Sequence, residues 1–282
     1  MSTAVIVGAG DIGGALARQL AAADVVNRIV IVDDLANVAA GKALDVAQSA
    51  PVDGYHTAMS GTADLAAVVG AVAVIVADVA ANPVTEWKDE PGLALIKRIA
   101  GLNQRAPIIC AGAAQSSLVE RGVNEAGIPR VRLFGSAPEA LRAAVTAIVA
   151  LEANAAPGDI SLSVLGRAPQ QIIVPWDETA IAGRRATEVL SAAQLARLDA
   201  RIARLWPPGP YALASAATRV IRTALTRAPR VHAAMVAVNR EEGSPGRSAM
   251  MPVTLAPTGI AALVAPSLSA RDRVRFETTM RA

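Results

Sequence analysis

The sequence predicts an α/β protein, a doubly wound parallel sheet followed by an α+β second domain, and three observations carry that prediction. Short β-branched runs alternate with helical stretches through the first 135 residues. A glycine-rich turn, Gly8-Ala9-Gly10-Asp11-Ile12-Gly13, joins the first run to the first helical stretch. After Gly135 the alternation stops and a long helical segment opens a different rhythm. The elements follow in order. Thr3 to Val7 is the continuous apolar run of a strand buried on both faces. Ile12 to Ala23 is a helix, Arg28 to Val32 the second strand, and Val38 to Ser49 a helix that Pro51 is expected to end. Tyr55 to Met59 alternates as a third strand, and Ala63 to Val69 is a short helix. Strands over Val72 to Ala77, Ile108 to Ala111 and Val131 to Phe134 are separated by helices over Gly92 to Leu102 and Ser117 to Ala126.

The second half begins with a helix from about Pro138 to Glu152. Strands over Ile160 to Leu165 and Gln171 to Val174 precede helices over Ser191 to Leu205 and Tyr211 to Thr226. Strands over Val231 to Val238 and Met251 to Ala256 and a helix over Ala270 to Thr279 complete the chain. The expected division is therefore residues 1–135 and residues 136–282.

Composition narrows the function classes. With 53% hydrophobic but only 2% aromatic residues, the core must be built from Ala, Val, Leu and Ile. The mean hydropathy of +0.39 raises the question of a membrane. The longest apolar run, Leu65 to Ala77, is broken by Gly70 and falls short of the ~20 residues a crossing takes. The N-terminal apolar stretch has no basic lead, so no secretory signal and a cytoplasmic location are expected. A single cysteine, Cys110, excludes an internal disulfide and a multi-cysteine metal site, and its apolar neighbours read it as a buried structural thiol. Residues 1–135 hold 10 Lys and Arg against 13 Asp and Glu, whereas residues 136–282 hold 17 Arg against 11 acids. Those arginines fall at helical spacing, as in Arg197, Arg201 and Arg204, which reads as solvated helix faces and not as a nucleic-acid surface.

Gly8, Gly10 and Gly13 satisfy G-x-G-x-x-G with a strand before and a helix after, the context that makes the motif a dinucleotide fingerprint. The first glycine permits the tight turn, the second lets a pyrophosphate approach the backbone, and the third lets helix and strand pack closely. The helix N-terminus at Asp11 and Ile12 then offers N–H donors to phosphate, although Asp11 adds a negative charge there. Asp33 closes the second strand 20 residues after Gly13, where a carboxylate accepts both ribose hydroxyls and repels a 2′-phosphate. Residues 1–135 therefore read as a Rossmann domain, with Gly8, Gly10, Asp11, Ile12, Gly13 and Asp33 binding NAD.

Ile29-Val30-Ile31-Val32-Asp33, Gly41-Lys42-Ala43-Leu44-Asp45-Val46-Ala47-Gln48 and Ala50-Pro51 resemble the malate/lactate dehydrogenase family. The resemblance continues through Ser60-Gly61-Thr62, Val164-Leu165-Gly166, Val174-Pro175, Ala216-Ala217-Thr218 and Pro252-Val253-Thr254-Leu255, so it spans nearly the whole chain. It implies hydride transfer between NAD and a 2-hydroxy or 2-keto acid, and a particular set of catalytic groups. The family's loop after the fourth strand carries two arginines; here Ala81 and Trp87 fall at their places. A substrate Asn belongs after the fifth strand, where this chain has Ala111-Gly112-Ala113. The family's Asp-x-x-Arg is answered by Glu139-Ala140-Leu141-Arg142, in which Arg142 keeps the place of the carboxylate clamp. The catalytic His of Gly-His-Gly is absent, because Gly166-Arg167-Ala168-Pro169 puts Ala168 or a neighbour there. His56 and His232 match no motif and read as structural.

The expectation is an NAD-binding relative of these dehydrogenases without ordinary malate or lactate turnover. Arg142, with Arg167 beside it, would hold a small anionic ligand. The alternative is an active oxidoreductase with rebuilt chemistry on a carboxylate or carbonyl substrate, with Glu139, Tyr211 or Arg167 standing in. A purely structural partner is a third class. The resemblance also implies a homodimer or tetramer packed through the helix Gly41 to Gln48, and no nucleic-acid or membrane partner is expected.

Overall fold

β-Branched residues crowd a helix but pack well on a pleated surface, and the Val and Ile runs of the first half form parallel strands. The computed structural model describes residues 2–81, 83, 85–238 and 246–281. The first strands are β1 (Thr3–Val7), β2 (Arg28–Val32), β3 (Ala58–Thr62) and β4 (Ala73–Val76). Two-residue strands β5 (Asp78–Val79) and β6 (Thr85–Glu86) then pair antiparallel, Asp78 opposite Glu86. β7 (Ile108–Cys110) and β8 (Leu133–Gly135) complete the parallel set, whose order is β3, β2, β1, β4, β7, β8. The chain thus winds one way from β1 and then returns to wind the other way from β4. That makes the crevice past the carboxyl ends of β1 and β4 the switch point, where doubly wound sheets bind ligands.

Helices α1 (Asp11–Ala22), α2 (Ala36–Asp53), α3 (Asp89–Leu102) and α4 (Ser116–Asn124) cover the sheet. Their buried stripes, such as Ile12, Leu16 and Leu20 of α1, join the two apolar layers on either face. α5 (Ala137–Ala153) opens the second half and is followed by β9 (Ile160–Ser161), β10 (Leu165–Arg167), β11 (Gln171–Ile173), β12 (Ala180–Ile181) and β13 (Arg184–Arg185). α6 (Ala186–Val189), α7 (Ala192–Ile202) and α8 (Pro210–Thr226) lead to β14 (Val231–Val238), β15 (Arg247–Ala256), β16 (Gly259–Leu263) and α9 (Ala270–Arg281). β14 runs antiparallel to β8, Met235 opposite Gly135, and β15, β10 and β11 follow, so the parallel sheet continues as one mixed sheet. No helix among the described residues is long and apolar enough to cross a membrane.

Several elements differ from the sequence expectation: β5, β6, β12, β13 and β16 are not expected from it, β15 begins at Arg247 and not at Met251, and three further differences are instructive. α2 runs through Pro51, which sits in its last turn; there the missing N–H forfeits only the bond to the Ala47 carbonyl, and Gly54 at φ 74° ends the helix. The third strand begins at Ala58 and not at Tyr55. Tyr55 turns its phenol onto the Val46 carbonyl of α2, and the Thr57 hydroxyl donates to Asp24, so their alternation reflects anchoring and not a ladder. The run expected as one strand from Ile160 to Leu165 divides between β9 and β10, which belong to different sheets.

Candidate functional site

Past β1 the chain must turn sharply to enter α1, and Gly8 takes φ 114° to do so. A side chain at Gly8 would meet the Asp78 carbonyl at 2.3 Å, and one at Gly13 the Gly8 carbonyl at 2.0 Å. The glycines therefore serve close approach, as the motif requires. The structure brings Gly8, Gly10, Asp11, Ile12, Gly13 and Asp33 together at the switch point, and Lys42 of α2 donates to the Gly10 carbonyl at 2.7 Å.

What lies against the loop is a carboxylate of this chain. Asp78 follows β4, which neighbours β1, and is 2% exposed. Its Oδ2 accepts from the Ile12 N–H at 2.9 Å and its Oδ1 from the Gly13 N–H at 2.8 Å. Its backbone carbonyl accepts from the Gly10 N–H at 2.9 Å. Burial pushes this carboxyl above its ordinary range; the Ile12 and Gly13 N–H groups oppose the rise, and the Asp11 charge adds to it.

Asp33 is equally enclosed. Its Oδ2 accepts from the N–H groups of Ala9 at 2.8 Å and Ala80 at 3.0 Å, and its Oδ1 from Leu35 at 3.0 Å. Beside it a cavity of about 210 Å³ is lined by Val32, Ala63, Trp87 and Arg98. Glu86, paired across the hairpin from Asp78, accepts from the N–H groups of Ala113 at 3.0 Å and Ala114 at 2.7 Å. Burial raises the Glu86 carboxyl too, and the nearby Asp78 charge adds to the rise. Neither Asp78 nor Glu86 belongs to a local motif. The signal that finds Asp78 is topological: with β4 beside β1, the first polar residue past β4 must face the glycine loop.

The second group of expected residues gathers elsewhere. Glu139, in the first turn of α5, is 2% exposed. Arg142 grips it with two bonds, Nε to Oε2 at 2.9 Å and Nη2 to Oε1 at 2.6 Å, and the Ala233 N–H donates to Oε2 at 3.0 Å. Arg219 of α8 stands 3.6 Å away. The structure adds a residue that the sequence motif does not include, His232, whose Nδ1 lies 3.3 Å from Glu139 and whose Nε2 bonds the Thr223 hydroxyl at 2.9 Å. Burial pushes the Glu139 carboxyl up, but the Arg142 bonds and the nearby His232 outweigh it and hold the group at about 2.

The anion site expected between Arg142 and Arg167 is corrected here. Arg142 is closed on Glu139 and lines a cavity of about 440 Å³ with Ser161, Ser163 and His232. Arg167 lines a different cavity, of about 450 Å³, with Glu86, Ala113, Ala114, Ala168 and Ser248, and its guanidinium lies 3.7 Å from Glu120. Of the tryptophans, Trp206 lines the Arg167 cavity, whereas Trp87 faces the Asp33 side and Trp176 donates to Asp199 at 3.0 Å. Of the substituted loop positions, Ala81 is exposed and Trp87 half-buried, while Asn82 and Val84 lie outside the described residues. Tyr211 is exposed at the start of α8. Cys110 is fully buried, and burial with the Glu86 charge pushes its thiol up to about 12. We expect it to react with a maleimide only after unfolding; fast labelling of native protein would contradict that burial.

No family model matches the sequence. Among solved structures, the malate dehydrogenase from Aeropyrum pernix superposes with a TM-score of 0.86 at 16% identity, over 99% of this chain and 95% of that one. The lactate dehydrogenase from Cryptosporidium parvum, complexed with lactic acid and nicotinamide adenine dinucleotide, superposes with a TM-score of 0.87 at 18% identity, over 99% and 95%. These fix the fold. A curated malate dehydrogenase of Thioalkalivibrio sulfidiphilus (strain HL-EbGR7) is 29% identical over 208 residues, 71% of this chain and 68% of that one. One of Sorangium cellulosum (strain So ce56) is 28% identical over 287 residues, 95% of this chain and 91% of that one. The chain is thus similar to malate dehydrogenases over most of its length, and it has the malate/lactate dehydrogenase fold. Within that family fold, the described arrangement does not fit NAD: the loop N–H groups that would hold a pyrophosphate are bonded to Asp78, and both Asp33 oxygens are engaged by backbone N–H groups.

Proposed function

We propose that this chain is a malate/lactate dehydrogenase-family protein that does not turn over malate or lactate. In this reading residues 1–135 keep the architecture of a dinucleotide domain and residues 136–282 that of a substrate domain. The observation that carries it is Ala168. It stands in the turn between β10 and β11, over the cavity that also holds Ala113 and Ala114, where the family resemblance places an imidazole and an amide. A methyl group can neither donate a proton to a forming alkoxide nor accept one. Arg142 spends two of its donors on Glu139 and lines a different cavity from Ala168, so it is not a clamp for a ligand held there. The test is NADH oxidation with oxaloacetate and with pyruvate; a rate within about tenfold of a typical kcat of ~10 s⁻¹ overturns the reading.

One observation favours the alternative, an oxidoreductase with rebuilt chemistry. Glu86 lines the same cavity as Arg167 and has a raised carboxyl, which suits a proton donor. A panel of other keto acids and aldehydes tests it: a rate that Glu86→Gln abolishes would favour this alternative.

The proposal includes a cytoplasmic homodimer or tetramer packed through α2. That helix leaves Leu44 60% exposed beside an alanine-rich surface, which suits helix against helix. Light scattering at micromolar concentration should give at least a dimer, and Leu44→Glu should shift it to monomer. A monomeric unmutated protein would refute this assembly.

A further inference from the structure

We infer that the dinucleotide cradle of this chain is filled by its own hairpin, and that Asp78 is the group that keeps NAD out. This goes beyond the absence of turnover, because it concerns binding alone. A pyrophosphate is recognised at a helix N-terminus by backbone N–H groups and by the partial positive charge of the helix. A carboxylate satisfies the same donors, and Asp78 does so with both oxygens, on Ile12 and on Gly13. The space is taken as well as the donors: a Cβ on Gly10 would lie 2.4 Å from the Asp78 carboxyl carbon. The approach that a glycine normally leaves open to phosphate is here used by a side chain.

Other described residues of the hairpin and its flanks lie at neighbouring positions. Ala80, just past β5, donates to Asp33 Oδ2, the oxygen that also accepts from the Ala9 N–H. Trp87, just past β6, forms a wall of the small cavity beside Asp33. Glu86, directly across the hairpin from Asp78, sits on the N–H groups of Ala113 and Ala114. Two carboxylates of one hairpin thus stand on backbone N–H groups, Asp78 on the glycine loop and Glu86 on residues past β7. A dinucleotide would bring its phosphate charges against Asp78, with Asp11 and Glu86 nearby, and the one cation bonded to the loop in the described structure, Lys42, is on the Gly10 carbonyl.

The experiment is calorimetric titration of NAD, and of ADP-ribose, into the full-length protein, Asp78→Ala and Asp78→Asn, without any keto acid. Asp78→Ala frees two N–H donors for phosphate and removes a like charge, and Asp78→Asn keeps the shape while removing the charge. Charge-assisted bonds of this kind correspond to a gain of roughly 10- to 100-fold in affinity. The expected result is at least a tenfold tightening for Asp78→Ala and a smaller one for Asp78→Asn. If neither folded variant gains more than about threefold, the inference fails, whatever the affinity of the unmutated chain. Should Asp78→Ala not fold, Asp78→Asn decides by the same threshold. Because no keto acid is present, the outcome is independent of whether the protein can catalyse hydride transfer.

Discussion

Purified protein supplied with NADH and oxaloacetate or pyruvate is expected to run at least about 10⁴-fold below a kcat of ~10 s⁻¹. A positioned general acid is worth roughly 10²–10⁴-fold, and a lost electrostatic stabiliser another ~10²–10³-fold. These factors do not simply multiply, because such groups act as a unit, so the expected ~10⁴-fold is the upper end of the acid contribution alone. The cavity at Ala168 and Ala113 supplies neither an imidazole nor an amide side chain from those two positions. Asp78→Ala should remain at background even when saturated with NADH, since emptying the cradle does not create a proton donor. Ala168→His alone should also stay within tenfold of background. Its imidazole would need a carboxylate to orient it, and Glu139 is committed to Arg142, the Ala233 N–H and the neighbourhood of His232. A large rescue by Ala168→His would show that the rest of the machinery is intact and that the substitution set is shallower than we propose.

The parallel half of the fold was legible because its strands are local events. Runs such as Ala4–Val7 and Ala73–Val76 are apolar throughout, and no other element type suits short β-branched runs between glycine turns. Legibility failed where one side chain's partner lies far along the chain. Tyr55 looks like a strand residue until its phenol is seen on Val46, and β16 is short, with three of its five residues exposed. The site divides in the same way. The glycine loop and Asp33 follow from spacing, whereas Asp78 bonds residues 65 and 66 positions away and His232 meets Glu139 across 93 positions of sequence. A motif can name the donors that await a phosphate. Only the sheet order says which side chain reaches them first.

Arg142→Ala should lower stability by about 3 kcal/mol, the lower end of what removing one partner of a buried ion pair costs. Glu139 is 2% exposed, and Arg142 supplies the two short bonds that compensate its desolvation. The lower end applies because the Ala233 N–H remains, with Arg219 at 3.6 Å and His232 at 3.3 Å. For a chain of this size the loss is a fall in Tm of roughly 6–12 °C near pH 7. The pH dependence separates a lost ion pair from lost packing. Glu139 is held at about 2 in the folded protein, against its ordinary value of 4.5, so its contribution is fully present above about pH 4.5 and disappears as pH falls through about 2. Removing Arg142 removes most of that depression, so the Tm difference between the two proteins should shrink as pH falls from about 4.5 toward about 2. A packing defect would instead persist across that window. Glu139→Gln in the Arg142→Ala background should recover part of the loss, because the unpaired buried charge is gone. If the double variant is as unstable as Arg142→Ala, the ion pair is not what holds α5 against β14 and α8 at this point.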